Sequence, residues 1–216
     1  MKKIVAIILC IAMKVTLVSY NKISGEDISG TKENSTETES SFDYASLQGK
    51  EFCFSSGAGG WETTLSIQKD GSFQGEYYDC DMGDTGTEYP NGVQYDCVFQ
   101  GQFDELSKVD DLTYKTKITS ISYENEVGTE EIKDGIRYIY TDAYGLDDAG
   151  EIYFYLKGTE TSALSGELMS WLQMELYDYT TGETASELPF IAMYNENAGE
   201  GFFSYDISES MIDDQK

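Results

Sequence analysis

Segments in which apolar and polar residues alternate run along most of this chain, separated by turns that contain glycine. In WETTLSIQK, the side chains of Trp61, Thr63, Leu65 and Ile67 share one face, and polar side chains occupy the other. Alternation with a period of two is typical of a strand with one buried face. An Asp-Gly pair follows this segment directly and is the strongest short-range signal of a β-hairpin. The pattern therefore favours antiparallel sheet over helix.

Nine alternating segments lie between residues 51 and 205, namely EFCFSS, WETTLSIQK, SFQGEYYD, VQYDCVFQGQF, LTYKTKITSISY, IRYIY, EIYFYL, LPFIAMY and GFFSY. Successive hairpins of this kind predict an all-β, mainly antiparallel fold of about eight to ten strands. The sheet is expected to meander and either to close as a barrel or to fold into a sandwich.

One short helix interrupts the strands, within SALSGELMSWLQMEL. Leu164, Leu168, Trp171 and Leu172 follow a helical spacing, which predicts a single apolar stripe. Ser162 is the predicted N-cap. We expect this stripe to pack on the sheet rather than to bind a partner protein.

Composition divides the chain into four parts. Residues 1–20 are typical of a signal segment, and residues 21–46 form an acidic Ser/Thr-rich linker with too few apolar side chains to order itself. Residues 47–206 are predicted to form a single β domain, and residues 207–216 are predicted to form a flexible tail.

The leader carries Lys2 and Lys3 ahead of an apolar run, Ile4–Met13, that is too short to span a bilayer of roughly 30 Å. Export to the cell envelope or the medium is therefore the predicted destination, and membrane association is expected only through this leader. Lipidation of Cys10 is disfavoured because Leu9 precedes it where a small residue is required.

The charge of the chain excludes several classes of partner and of chemistry. Its net charge is −26, so it lacks the basic clusters that a nucleic acid needs. No histidine is present, which excludes Ser-His-Asp and Cys-His nucleophiles and histidine-based metal sites. Cys80 and Cys97 flank one predicted hairpin, where a disulfide between them is a testable pairing.

The glycine-rich run SSGAGGW has two interpretations. A phosphate-binding loop would need the lysine of the P-loop pattern or a glycine pattern that opens a helix, and neither is present. We therefore predict that Ser55–Gly60 only links two antiparallel strands and that Trp61 is at least half buried.

The segment YYDCDMGDTGTEYPNG contains four closely spaced carboxylates, Asp79, Asp81, Asp84 and Glu88. Carboxylates at alternate positions among glycines are suited to a hard cation, so a calcium site is one interpretation. The spacing departs from that of an EF-hand, and an ordinary solvated hairpin loop is the other. No other cofactor is expected.

Two long stretches carry a resemblance to a known group of proteins. They are FCFSSGAGGWETTLSIQKDGSFQGEYYDCDMGDTG with YPNGVQYDCVFQGQF, and LKGTETSALSGELMSW with LPFIAMY. They resemble uncharacterised envelope proteins of clostridia and related Firmicutes. The resemblance implies a secreted or lipoprotein-like protein and supplies no functional residue.

Two functions fit these observations. The first is a non-enzymatic binding or interaction module that holds an unknown envelope or extracellular ligand. The second is a secreted hydrolase, for example one that acts on glycans, with two carboxylates facing each other across a cleft. The sequence singles out no catalytic pair among its 40 acidic residues.

Overall fold

The computed structural model describes residues 42–207, which lie within one compact unit. These residues form fourteen strands, one α-helix and two short 3-10 helices, at Tyr44–Leu47 and Thr161–Ala163. The strands outnumber the eight to ten predicted because several are short, with two residues each in three of them. The leader, most of the linker and most of the tail lie outside the described residues.

The first nine strands are β1 Lys50–Ser55, β2 Trp61–Ile67, β3 Ser72–Asp81, β4 Val93–Phe103, β5 Ser107–Lys108, β6 Thr113–Thr116, β7 Ile118–Tyr123, β8 Glu130–Lys133 and β9 Ile136–Tyr140. The remaining elements are β10 Ile152–Tyr155, the helix α1 Gly166–Leu176, β11 Tyr177–Asp178, β12 Glu183–Thr184, β13 Ala192–Asn195 and β14 Glu200–Asp206.

Twelve strands form one large sheet in the order β5-β6-β10-β13-β14-β1-β2-β3-β4-β9-β8, with β7 also paired to β4. All of these pairs are antiparallel except β4 with β9. The sheet bends around a shared core without closing, so the all-β prediction is confirmed in its sandwich-like form rather than as a barrel. The strands β11 and β12 form a separate hairpin.

The predicted segment LTYKTKITSISY is not one strand but two. The strand β6 pairs with β10, whereas β7 pairs with β4 across an irregularity at Gln102 and Phe103. Lys117 separates the two strands, and its carbonyl accepts a hydrogen bond from the Asp104 N–H at 2.8 Å. The chain changes partners here because it passes from one end of the sheet to the other.

The glycine-rich run is a hairpin turn, as predicted. β1 and β2 pair antiparallel up to Ser55 and Glu62, and Gly57 and Gly59 adopt positive φ between them. Trp61 is partly buried and packs edge-on against Phe54, with ring centroids 4.8 Å apart. The predicted burial of Trp61 is therefore confirmed.

The predicted core face of β2 is also confirmed. The largest cluster of buried side chains includes Phe52, Leu65, Phe73, Phe99 and Phe202. Residues facing the other side of the same strands are mostly polar. Burial of one face and solvation of the other is what the period-two pattern encodes.

Helix α1 packs on the sheet, but it begins later than predicted. Its N-cap is Ser165, whose Oγ accepts a hydrogen bond from the Leu168 N–H at 3.1 Å. Ser162, the predicted cap, lies instead in a 3-10 turn. Leu168 and Leu172 are fully buried in a second cluster with Leu188 and residues of β13. No helix within residues 42–207 is long and apolar enough to cross a membrane.

Two side chains of the segment assigned to the linker, Phe42 and Tyr44, pack on the domain. Tyr44 is buried, and its hydroxyl donates to the Asp104 carbonyl at 2.6 Å. The Phe42 ring lies 5.0 Å from that of Tyr114. These two aromatic side chains supply the apolar surface that the rest of the linker lacks.

The Cys80–Cys97 disulfide, which the sequence left open, is not formed. Cys97 lies opposite Tyr77 and Cys80 lies opposite Gln94, so the two thiols are on opposite faces of the sheet. Cys97 is buried, Cys80 is exposed, and the three cysteines of the described chain are free.

Candidate functional site

A groove with a volume of about 580 Å³ lies on the outer face of the sheet. Two rows of side chains cross it, each built from residues that the strand register places side by side. The first row comprises Glu51, Ser66, Gln74, Gln100 and Ser122, and the second comprises Thr64, Glu76, Val98 and Glu124.

The chemistry of the groove is that of a hydrogen-bond acceptor surface. It offers three carboxylates, two carboxamides and four hydroxyl groups, and no lysine or arginine is among its lining residues, all of which are described. Val98, which is 46% exposed, is its one solvent-facing aliphatic side chain. Such a surface suits a neutral or cationic ligand that carries hydroxyl or ammonium donors, and it repels phosphate groups.

Part of the floor of the groove is strand backbone at Gly75. Gly75 has no side chain, and the Phe99 ring covers it from the core side, within 2.6 Å of where a Cβ atom would lie. At one end, the Tyr205 hydroxyl donates to the Glu51 carboxylate. Glu51 is therefore oriented, whereas Glu76 and Glu124 are exposed to solvent.

The calcium hypothesis is not supported by a cluster of ligands. Within residues 42–207 no group of three or more Asp, Glu, Cys or His side chains is placed to hold a metal ion. Asp79 lies within β3 opposite Tyr95, and the Asp81 Oδ1 accepts from the Gly83 and Asp84 N–H groups at 2.8 and 3.1 Å. Glu88 is exposed near the end of the loop. Calcium binding stays a prediction.

The glycine-rich turn has already used the backbone donors that a phosphate would need. The Ser56 Oγ accepts from the Ala58 and Gly60 N–H groups at 3.3 and 3.2 Å. The Gly57 N–H donates to the Ser55 Oγ. The turn is thus stabilised from within and is an unsuitable anion cradle.

The thiols of the described chain are poor nucleophiles. Burial first, and the carboxylate of Glu62 second, raise the pKa of Cys53 to about 12. Burial and the charge of Asp142 do the same for Cys97, whose pKa is also about 12. Burial and neighbouring aspartates raise the pKa of Cys80 as well. Since the thiolate is the reactive form, cysteine catalysis is disfavoured.

Sequence reasoning missed a second polar site, beneath a cluster of half-buried aromatic rings. The Trp61 ring contacts those of Tyr144 and Trp171, with centroid distances of 5.0 Å and 6.1 Å. Nearby, Asn195 and Glu200 are buried on the core face of the β13–β14 hairpin. The only signal of this site in the sequence was a polar residue at a core-facing position in each strand of that hairpin, next to the turn.

Comparison with known protein families, with curated proteins and with solved structures finds no match for this chain.

Proposed function

We propose that this protein is an exported cell-envelope binding module, without enzymatic activity, and that the outer-face groove holds its ligand. The observation that carries the proposal is the row of glutamate, glutamine, serine and threonine side chains that line one concave surface. Their chemistry selects a neutral or cationic ligand rich in hydroxyl or amino groups, as in an envelope glycan.

The proposed destination rests on the leader and on the resemblance to envelope proteins of clostridia and related Firmicutes. The charge of −26 supports a role outside the cell without a nucleic-acid partner. Attachment to the membrane, if any is made, would use the leader alone.

The alternative, a carboxylate-dependent hydrolase, has less support. A general acid needs surroundings that exclude water, as a buried carboxyl group has. Glu76 and Glu124 are exposed, and Glu51 is only partly buried. The groove therefore presents carboxylates suited to binding rather than an acid and a base isolated from solvent.

Isothermal titration calorimetry tests the proposal with three probes of matched length, namely oligomers of glucosamine, oligomers of N-acetylglucosamine and linear polyphosphate. We expect binding of one or both sugar oligomers and none of polyphosphate. Glu76→Gln combined with Glu124→Gln should weaken binding of the cationic oligomer by tenfold or more, a free-energy change of about 1.4 kcal/mol.

The matched control is Glu183→Gln combined with Glu187→Gln, which removes two exposed carboxylates outside the groove and should leave affinity unchanged. Equal losses in both proteins would mean that net charge, rather than the groove, attracts the ligand. Release of smaller sugars from either oligomer would instead favour the hydrolase.

A further inference from the structure

Two buried side chains face each other at the turn end of the β13–β14 hairpin, and each has one oxygen atom without a hydrogen-bond partner. Asn195 and Glu200 are register partners, 0% and 8% exposed. The Asn195 Oδ1 and the Glu200 Oε2 have no hydrogen-bond partner. Such groups are rare in folded proteins and call for an explanation.

The orientation of the Asn195 amide is fixed by its donors. Its Nδ2 donates to the carbonyls of Gly145 and Asp147 at 3.2 and 3.3 Å. Both partners are acceptors, so the amide cannot be flipped, and Oδ1 must point elsewhere. Directly opposed residues in an antiparallel pair have Cβ atoms about 5 Å apart, which brings the Glu200 carboxyl group within reach.

We propose that Glu200 is a neutral carboxylic acid in the folded protein and donates its proton to the Asn195 side-chain oxygen, forming a proton-binding latch. One proton then satisfies both oxygens, because a protonated carboxyl group is a donor as well as an acceptor. An ionised Glu200 would leave two acceptors opposed in a buried site.

The groups around Glu200 favour its neutral form. Asp147 and Tyr144 face it from the loop that follows β9, Glu167 of α1 lies against Gly199, and Glu196 belongs to the same turn. Burial first, and the negative charge of Asp147 second, raise the pKa of Glu200 to about 7 from its ordinary value of 4.5.

The direction of the pH effect follows from linkage. Between pH 4.5 and about 7 the folded state holds a proton that the unfolded state has released. Stability is therefore greatest at the acidic end and falls as the pH rises, with the unfolding equilibrium constant increasing by up to about tenfold per pH unit. The chain has no histidine, whose titration would otherwise dominate this pH range.

The latch lies beside a natural reporter. The Trp171 indole N–H donates to the Gly199 carbonyl at 2.8 Å, which ties α1 to the residue before Glu200. The chain has two tryptophans, Trp61 and Trp171, and both belong to the aromatic cluster next to the latch. Ionisation of Glu200 should therefore change the intrinsic fluorescence of the folded protein.

The test is a fluorescence titration of the full chain from pH 5 to 9, with urea unfolding at several of these pH values. We expect a single fluorescence transition with a midpoint near 7, and a stability that falls from pH 5 up to that midpoint and levels off above it. Glu200→Gln supplies a permanent amide donor to Asn195 and should abolish the transition. Glu196→Gln, at an exposed position in the same turn, should leave it unchanged. Asp147→Asn should move the midpoint to lower pH.

Infrared spectroscopy of the wild-type protein keeps the test independent of any variant that fails to fold. A protonated carboxyl band present at pH 6 and absent at pH 8.5 is expected. The proposal is overturned if that band is missing at pH 6, or if the fluorescence transition persists in Glu200→Gln. The first result would indicate an ionised Glu200 bridged to Asn195 by an ordered water molecule, and the second would show that another group causes the fluorescence transition.

Discussion

Replacing Gly75 by alanine tests how the floor of the groove is built. An ideal Cβ atom at this position would lie 2.1 Å from the Thr64 carbonyl oxygen, 2.6 Å from the Phe99 Cζ and 2.9 Å from the Leu65 Cβ. The first and closest neighbour is backbone, which no rotamer change can move. The strand itself must shift for the methyl group to fit.

The sign of the expected effect is opposite to that of an ordinary substitution. In an unobstructed strand, alanine in place of glycine stabilises by roughly 0.5–1 kcal/mol, because glycine loses more conformational freedom on folding. Overpacking a filled core costs about 1–3 kcal/mol. With backbone as the nearest neighbour we expect the upper part of that range, so Gly75→Ala should lower the free energy of unfolding by about 2 kcal/mol.

Urea denaturation followed by circular dichroism at fixed pH measures this change. Gly166→Ala is the control, because a Cβ atom at Gly166 meets nothing within 4 Å and no positive φ is required there. That variant should be neutral or stabilising, by at most about 1 kcal/mol.

A double-mutant cycle then separates the ring from the backbone. Phe99→Leu removes the aromatic carbon next to Gly75, so the double variant should be more stable than the sum of the single changes by about 0.5–1.5 kcal/mol. A neutral or stabilising Gly75→Ala, or a cycle without coupling, would refute the idea that Phe99 requires glycine opposite it.

Three further predictions concern the capping serine, the thiols and the acidic loop. Ser165→Ala should cost about 1 kcal/mol in urea denaturation, whereas Ser162→Ala should stay within about 0.5 kcal/mol of wild type; the reverse order would contradict the observed start of α1. In a chain lacking residues 1–20, a thiol reagent should modify Cys80 at once and the two buried thiols only in denaturant, and fewer than three thiols in total would reveal a disulfide. Since the Asp81 carboxylate already accepts two backbone N–H groups, equal concentrations of calcium and magnesium should shift the melting temperature equally; a calcium-specific rise that Asp81→Asn abolishes would establish a calcium site.

The sequence was most informative for strands that have one face exposed to solvent and the other buried in the core. The alternation from Trp61 to Ile67 predicted the strand, its face and the hairpin before it, because each depends on local spacing. The break at Lys117 could not be predicted in this way. Alternation continues through it, and only the arrangement of distant strands shows that β6 and β7 have different partners.

The prediction of where the helix begins was wrong for a related reason. Ser162 and Ser165 are equally good caps by sequence. Tertiary hydrogen bonds decide between them, since the Thr161 Oγ1 donates to the Ala185 and Ser186 carbonyls and holds the preceding turn apart from α1. Local propensity is overridden wherever such long-range contacts fix the backbone.

Register alone excludes the Cys80–Cys97 pairing that the sequence left open. Directly paired residues of two neighbouring strands lie on the same face of the sheet, so Cys97 shares the face of its partner Tyr77. Cys80 is three residues beyond Tyr77 on β3 and therefore lies on the opposite face. The length and shape of the intervening loop set this register, and the sequence does not reveal them. A one-residue uncertainty is enough to move a thiol to the opposite side of the sheet.

The two outer surfaces of the sheet differ in a way that bears on function. Over β13 and β14, the outer face carries Tyr194, Phe203 and Gly201, and α1 buries them, with Leu168 lying 2.5 Å from where a Gly201 Cβ atom would be. Over β2, β3 and β4 the corresponding positions carry polar side chains such as Gln74 and Gln100. A second helix there would have to desolvate those amides and carboxylates without apolar compensation. The groove is thus left open by the same residues that make it suited to a polar ligand, and its accessibility and its chemistry have one cause.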